Sequence, residues 1–201
     1  DWGICGAMLL PGDERLYRIL EKQKKEYTLT ICGRDGKDQT YQIGSLIELI
    51  WGIENPAAII NKIADKNIHI ITLTITEGGY NIAKATNEFM LDNENIKYDL
   101  AHPQSPKTTF GFVAEGLRKR KAVGNGPITI LSCDNLQHNG NTARKAFLSF
   151  FQAQDPELAE WATVNITFPN SMVDRITPST QPEDIIRLNT QNGTQDGAPV
   201  Y

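Results

Sequence analysis

Four apolar, β-rich stretches of this chain each end in a short polar run: Pro11-Gly12-Asp13, Thr76-Glu77-Gly78-Gly79-Tyr80, Ser132-Cys133-Asp134-Asn135-Leu136-Gln137-His138-Asn139-Gly140, and Phe168-Pro169-Asn170-Ser171-Met172-Val173-Asp174-Arg175. In an open, mostly parallel sheet, ligands lie outside the carboxyl ends of the strands, so loops that follow strands collect the chemistry. The recurrence therefore points to an α/β fold with one ligand site. At 201 residues the chain is long enough for one substantial core.

The helices and strands between these runs have their own signals. Trp2 to Leu10 reads as a buried strand, and Leu16, Ile19 and Leu20 then recur at helical spacing. Tyr27 to Cys32 and Tyr41 to Trp51 are further apolar stretches, and the Gly33-Arg34-Asp35-Gly36 turn between them predicts a hairpin. Ala57 to Ile63 reads as helix and His69 to Thr76 as a parallel strand, apolar on both faces. A helix is predicted to begin at Ser105-Pro106 and to bury Phe110, Val113 and Leu117. Ile128 to Leu131 is the next strand, and Ala146, Phe147, Phe150 and Phe151 form the inward stripe of the helix after it. Val164 to Phe168 reads as a strand and Pro182 to Asn189 as a final helix. Alternation after residue 55 predicts a doubly wound, mostly parallel sheet with a β-hairpin excursion.

Charge and cysteine content narrow the partners. The net charge is −4, which offers no reason to expect a nucleic acid. The basic run Arg118-Lys119-Arg120-Lys121 closes a predicted helix before Gly124, where cations complement the helix dipole. Cys5, Cys32 and Cys133 are odd in number and widely spaced, which predicts reduced thiols and a cytoplasmic protein with no metal site. No apolar run approaches the ~20 residues of a membrane span. Asn165-Ile166-Thr167 and Asn192-Gly193-Thr194 match the glycosylation sequon, and both are read as chance.

A dinucleotide fold usually carries G-x-G-x-x-G after its first strand, so that backbone can approach the pyrophosphate. This chain has no such sequence. Asp13 nevertheless follows a strand, where a carboxylate can bind ribose hydroxyls and repel a 2′-phosphate, favouring NAD over NADP. Arg15 lies close enough to weaken that preference, and an N-cap of the following helix is the alternative role for Asp13.

The runs Ile130 to Gly140 and Phe168 to Pro178 resemble the polyol-specific long-chain dehydrogenases, the family of mannitol 2-dehydrogenases. Asp1-Trp2-Gly3-Ile4-Cys5-Gly6, Thr74 to Tyr80 and Asp99-Leu100-Ala101-His102-Pro103 agree, so the resemblance runs in order across essentially the whole chain. It implies a Rossmann-type amino-terminal domain, completed by a helical carboxyl-terminal domain, and a zinc-independent, NAD-dependent interconversion of D-mannitol and D-fructose. It further implies an oxyanion-hole role for Asn135, substrate hydroxyl binding by Asp174, and an adenosine-ribose role for Asp13. Thr76 and Glu77 are the candidates for the nicotinamide side.

The family's phosphate loop and first strand are expected before Asp1, and its catalytic lysine and second oxyanion-hole asparagine after Tyr201. The sheet is accordingly expected to be incomplete at its N-terminal end, the isolated chain to be inactive and difficult to fold alone, and the complete enzyme to be a monomer.

These residue types suit the chemistry. Oxidising a secondary alcohol requires a base for the hydroxyl proton, a hydride acceptor beside the carbon, and donors for the developing alkoxide. Simpler roles stand beside each candidate. Asn135 can be a loop or cap residue, Asp174 an ion-pair partner of Arg175, and Glu77 the end of a strand. His138 reads as a loop histidine and Cys133 as a packed small residue.

Three other functions fit parts of the pattern. Fructuronate and tagaturonate reductases share much of it. Tyr80-Asn81-Ile82-Ala83-Lys84 has the Tyr-x-x-x-Lys spacing of short-chain dehydrogenases, which a helix would bring to one face. A nucleotide-binding module that has lost its chemistry is the non-enzymatic alternative.

Overall fold

Strand pairing divides the β-rich first quarter of the chain into two ladders. A computed structural model describes residues 2–174 and 177–201. In it β1 (Ile4–Met8) pairs in parallel with β4 (Leu46–Trp51), while β2 (Tyr27–Ile31) and β3 (Gln39–Ile43) form the antiparallel hairpin predicted from the turn at 33–36. The apolar stretch read as Tyr41 to Trp51 is thus two strands, broken at Gly44-Ser45. Its first part satisfies the amides of β2, and its second part those of β1.

These strands belong to one of two compact units, formed by Asp1–Asn55 with Arg175–Tyr201; the other is Pro56–Asp174. In the first unit a single 3-10 turn, Pro11–Asp13, leads into α1 (Glu14–Lys22), which buries Leu20 and stacks Tyr17 on Trp51 at 5.7 Å. A final helix, Pro182–Asn192 (α8 in chain order), buries Leu188 and ends at Gly193, whose φ of 66° lies in the left-handed region. The tail returns to β2: Val200 accepts from the Thr30 amide at 2.8 Å and donates to the Thr28 carbonyl at 2.8 Å. Asp196, buried, accepts from the Thr28 amide (2.6 Å), the Thr28 hydroxyl (2.8 Å) and Gln23 Nε2 (2.9 Å).

The second unit runs α2 (Pro56–Ala64), β5 (Ile70–Leu73), a one-turn α3 (Thr76–Gly79), α4 (Glu94–Ala101), α5 (Thr109–Ala122), β6 (Ile128–Ser132), α6 (Asn139–Gln154), α7 (Pro156–Asn165) and β7 (Ile166–Thr167). Its sheet is parallel, in the order β5-β6-β7. Parallel neighbours need crossover connections, and the helices supply them. Ile128 and Ile130 of the middle strand are buried, as are Phe110, Val113 and Leu117 of α5 and the whole predicted stripe of α6. Phe110 meets Phe147 at 4.8 Å and Phe89 at 5.1 Å, distances at which aromatic pairs add to area burial. Gly116 lets α5 approach α2, since a Cβ there would stand 2.6 Å from Ile63 Cβ.

Local starts and stops depart from the sequence reading. α5 begins at Thr109, capped by Thr108, whose hydroxyl accepts from the Gly111 amide at 3.3 Å; it does not begin at Ser105-Pro106. Asp99, buried at the end of α4, holds the preceding segment away from the helix by accepting from the Lys107 and Thr108 amides, each at 2.8 Å. The sequence reading contained neither α4 nor α7. Asn93 caps α4 by accepting from the Asn95 amide at 3.0 Å, and Asp155 caps α7 through the Leu158 amide at 3.0 Å. The strand read as Val164 to Phe168 shrinks to two residues because Val164 and Asn165 complete α7.

One member of the basic run is absorbed in packing, while Lys119 is exposed. Arg120, 2 % exposed, donates to the carbonyls of Gly126 (2.7 Å), Asp65 (2.8 Å) and Ile63 (3.2 Å), so it caps α2 and a loop and not its own helix. Burial lowers its pKa, and the coulombic pull of Asp65 opposes that. Arg118 pairs with Asp155 at 3.0 Å.

Candidate functional site at the carboxyl end of β6

β6 ends at Ser132, opposite Leu73, and the ladder continues for one more bond, from the Cys133 amide to the Leu73 carbonyl at 2.8 Å. The chain then turns and Asp134 points back across the end of β5. Its carboxylate, in a residue 9 % exposed, accepts from the Thr76 amide at 2.9 Å (Oδ1) and the Ile75 amide at 3.2 Å (Oδ2). Tyr80 Oη lies 2.7 Å from Asp134 Oδ2 and 2.6 Å from Ser132 Oγ. Thr76 is held at φ 63°, a region that costs a β-branched residue about 1–3 kcal/mol. The paired amide bonds from one carboxylate keep it there.

A second knot ties this loop to the segment after β7. Asn139, 1 % exposed at the start of α6, has Nδ2 within reach of the carbonyls of Asp134 (3.1 Å) and Ser171 (3.1 Å) and of Ser171 Oγ (2.9 Å), while its Oδ1 accepts from the Ser171 amide at 2.9 Å. Ser171 Oγ in turn donates to the Ser132 carbonyl at 2.6 Å. Asn170 Oδ1 accepts from the Gly140 amide at 2.9 Å and the Asn141 amide at 3.3 Å, satisfying the open end of α6 from a distant segment. Gly140 is required at this crossing, because a Cβ would stand 2.3 Å from the Pro169 carbonyl oxygen.

Three polar runs, 74–80, 132–140 and 168–174, therefore meet at one end of the second unit's sheet. Of the residues singled out in the sequence, Asn135, Thr76, Glu77 and Asp174 lie on these joined loops, and all four are exposed. Asn135 directly follows the buried Asp134, and Asp174 lies three residues beyond the stitched Ser171. Glu77 pairs with Lys84 at 3.2 Å on the surface. Arg175, the alternative partner of Asp174, lies outside the described residues.

Asp13 is in the first unit, half-buried. Its carboxylate does not bond the amides of α1; it reaches back to the Leu10 amide at 3.3 Å, because the 3-10 turn sets it above the preceding residue. Its N-cap role is corrected accordingly, and Oδ1 has no partner among the described residues.

The short-chain dehydrogenase reading fails on geometry. Tyr80 is 0 % exposed and ends a one-turn helix, whereas the Lys84 side chain is 85 % exposed and pairs with Glu77. Burial, with the Asp134 carboxylate beside it, pushes the Tyr80 hydroxyl well above its ordinary pKa, the opposite of what a general base needs. Burial raises the Cys133 thiol as well, in keeping with a packed residue and not a nucleophile. His138 is an exposed loop residue at φ 53°. Among the described residues no group of three His, Cys, Asp or Glu side chains is arranged to hold a metal ion, and no helix is long and apolar enough to cross a membrane.

Sequence reasoning gave no individual role to Asp134, Ser132, Asn139, Asn170 and Ser171, and it considered Tyr80 only for a Tyr-x-x-x-Lys pair, whereas these six residues build the site. One signal was available, since Asp134 and Asn139 lie within the run 132–140 already recognised as functional. Nothing local distinguishes a buried polar side chain there from an exposed one.

The chain supplies exposed amide and carboxylate groups on rigidly joined loops, which suits recognition of a hydroxylated small molecule. Comparison with known proteins identifies the family. Residues 1–201 match the mannitol dehydrogenase Rossmann domain. The polyol:NADP oxidoreductase of Gluconobacter oxydans is 44% identical over 203 residues, covering 100% of this chain and 42% of that protein. The D-mannonate oxidoreductase of Escherichia coli is 39% identical, covering 100% of this chain and 41% of that protein. Among solved structures, the Pseudomonas fluorescens mannitol 2-dehydrogenase in ternary complex with NAD and D-mannitol superposes with a TM-score of 0.96 at 42% identity, covering 100% of this chain and 41% of that one. The chain thus spans about two fifths of the length of these relatives. It belongs to the mannitol dehydrogenase family, over that family's Rossmann domain.

Proposed function

We propose that residues 1–201 form the nucleotide-binding domain of a cytoplasmic, monomeric, zinc-independent oxidoreductase that interconverts D-mannitol and D-fructose by hydride transfer with NAD. The observation that carries this reading is the stitching of the Asn135 loop to the Asp174 segment through Asn139 and Ser171. It brings an amide donor and a carboxylate acceptor onto one framework.

In this proposal the Asn135 NH₂ donates to the oxygen that gains negative charge as the alcohol is oxidised, without itself changing charge. Asp174 accepts from neighbouring hydroxyls of the polyol. Thr76 and Glu77 border the nicotinamide side. Asp13 takes the adenosine ribose: its open Oδ1 fits a hydroxyl donor, and its charge disfavours a 2′-phosphate. The nicotinamide cofactor supplies the hydride acceptor. The relatives extend well beyond the matched region, so the phosphate-binding loop and the general base, a lysine in a helical domain, come in this proposal from outside residues 1–201. The chain alone is then inactive.

A second reading has a specific observation in its favour. The D-mannonate oxidoreductase relative acts on a sugar acid by its name, and a fructuronate or tagaturonate reductase would use the same framework. Titrating the full-length protein with NADH and NADPH, then measuring reduction of fructose and of fructuronate, separates the possibilities. Tighter NADH binding with faster fructose turnover is expected. Faster fructuronate turnover assigns the sugar-acid reaction, and cofactor binding without turnover of either ketose assigns a non-catalytic module. Tighter NADPH binding, as the name of the Gluconobacter relative suggests for that enzyme, overturns the role given to Asp13.

A further inference from the structure

Asp134 has no place in the chemistry described above, yet it is the buried charge nearest to it in sequence. Both of its oxygens are engaged, Oδ1 by the Thr76 amide and Oδ2 by the Ile75 amide and the Tyr80 hydroxyl. A carboxylate so occupied neither takes a substrate proton nor binds a substrate hydroxyl. Its effect is mechanical. One side chain joins the turn after β5 to the turn after β6, immediately beyond the last ladder bond between those strands. The turn it grips contains a β-branched residue at φ 63°, a conformation that relaxes once its restraints are removed. Behind the carboxylate, the buried Tyr80 hydroxyl and Ser132 Oγ leave it a single orientation.

We propose that Asp134 is a positioning residue for the polyol reaction: it locks the Asn135 amide and the Thr76-Glu77 turn into one rigid unit, so that the alkoxide donor and the nicotinamide-side turn are set by the same side chain. The inference rests on the polyol dehydrogenase reading for its consequence in catalysis, and on the hydrogen bonds alone for the rigid unit. Catalytic donors must be held within about half an ångström of productive geometry, and a misplacement of about 1 Å costs on the order of 100-fold in rate. Asn135 is exposed and has no side-chain partner among the described residues, so its direction is inherited from the backbone that Asp134 anchors.

The test uses the full-length enzyme with Asp134→Asn, Asn135→Ala and the double variant. Asp134→Asn keeps the shape but turns an NH₂ toward one of the two amides. It is expected to lower kcat for mannitol about 10- to 100-fold. The double variant should fall at least about fivefold short of the product of the two single losses, because Asp134 acts through Asn135. A purely structural role makes the losses multiply, and that result, or an Asp134→Asn kcat within about twofold of the parent, overturns the proposal. If Asp134→Asn does not fold, Tyr80→Phe replaces it in the same cycle, with an expected loss of about 3- to 10-fold in kcat and the same shortfall.

Amide hydrogen exchange supplies a readout independent of activity. Exchange at 75–77 and 134–136 should accelerate together in the variant, and unchanged exchange at either segment sinks the rigid unit. Failure of the polyol reading appears separately, as no mannitol turnover by the parent enzyme or no loss on Asn135→Ala.

Discussion

Asp134 and Asp196 are both buried carboxylates that accept backbone amides from a distant stretch of chain, and they hold that chain in different states. Asp196, in the first unit, grips β2 through the Thr28 amide and hydroxyl and also accepts from the Ala198 amide at 2.8 Å. What it holds is ordinary extended backbone already paired with Val200 and β3. Asp134, in the second unit, grips a turn whose Thr76 sits in the left-handed region, next to exposed polar residues. A buried, saturated carboxylate therefore does not by itself mark a functional site. The distinguishing marks are the strain of the segment it restrains and the open donors and acceptors beside it. Asp99 belongs with Asp196 in this respect, since it organises the approach to α5.

The contrast is broken most directly by removing Asp196. Asp196→Ala leaves the Thr28 and Ala198 amides and the Gln23 amide without their acceptor in the interior, at an expected cost of about 3 kcal/mol. Thermal unfolding of the full-length protein should show the midpoint falling by several degrees, while kcat of the folded enzyme stays within about twofold. A large loss of kcat with little change in the midpoint would erase the distinction between the two carboxylates.

Asp13 offers an intermediate case, a half-buried carboxylate with one local amide bond at 3.3 Å. Asp13→Ser should cost less than about 1 kcal/mol of stability. On the proposed role it should nevertheless shift the NAD to NADP ratio of kcat/KM toward NADP by about tenfold or more, since in that role Asp13 supplies both a ribose acceptor and a charge opposed to the 2′-phosphate. An unchanged ratio removes Asp13 from the cofactor site.

Asp155 tests the smallest effect, that of a carboxylate near the surface. Burial alone would raise its pKa, but the Arg118 hydrogen bond, the Leu158 amide, and the charges of Arg118 and Lys121 together bring it below the ordinary value of 3.8. A depressed folded pKa contributes stability that is fully present above the unfolded value, and loses it as pH falls through the folded one. Asp155→Asn should therefore lower stability modestly at neutral pH, and the difference from the parent should shrink below about pH 4. Denaturant midpoints across that range check it. A difference that persists in acid would assign the effect to the helix cap and not to charge.

Particular elements explain how far sequence reading reached. The phenylalanine stripe of α6, the hairpin turn at 33–36 and the apolar strand around Ile130 were readable because each depends on the spacing of neighbours in the chain. The split of 41–51 into β3 and β4 was not, because which strand claims an amide depends on partners elsewhere. The true start of α5 was hidden for the same reason: Ser105-Pro106 is a sound local signal, and Asp99 overrides it from another helix. At the site, Asn135 and Asp174 stood out within recognisable runs. Asn139 and Asn170 did not, and Tyr80 stood out only for a role it does not have, because an asparagine or tyrosine becomes structural only when burial removes water as a competing partner.

Residue order alone carries the α/β alternation, the core-facing residues of the long helices, the family, and the loops on which chemistry would collect. Those properties follow from periodicity and from runs of residues adjacent in the chain. Three-dimensional packing settles that the loops after β5, β6 and β7 are tied together through Asp134 and Asn139, that Arg120 serves the backbone of α2, and that Tyr80 is shut away from solvent. Each of those outcomes depends on desolvating a polar group against a partner far away in sequence, and a linear pattern carries no information on which partner will be within reach.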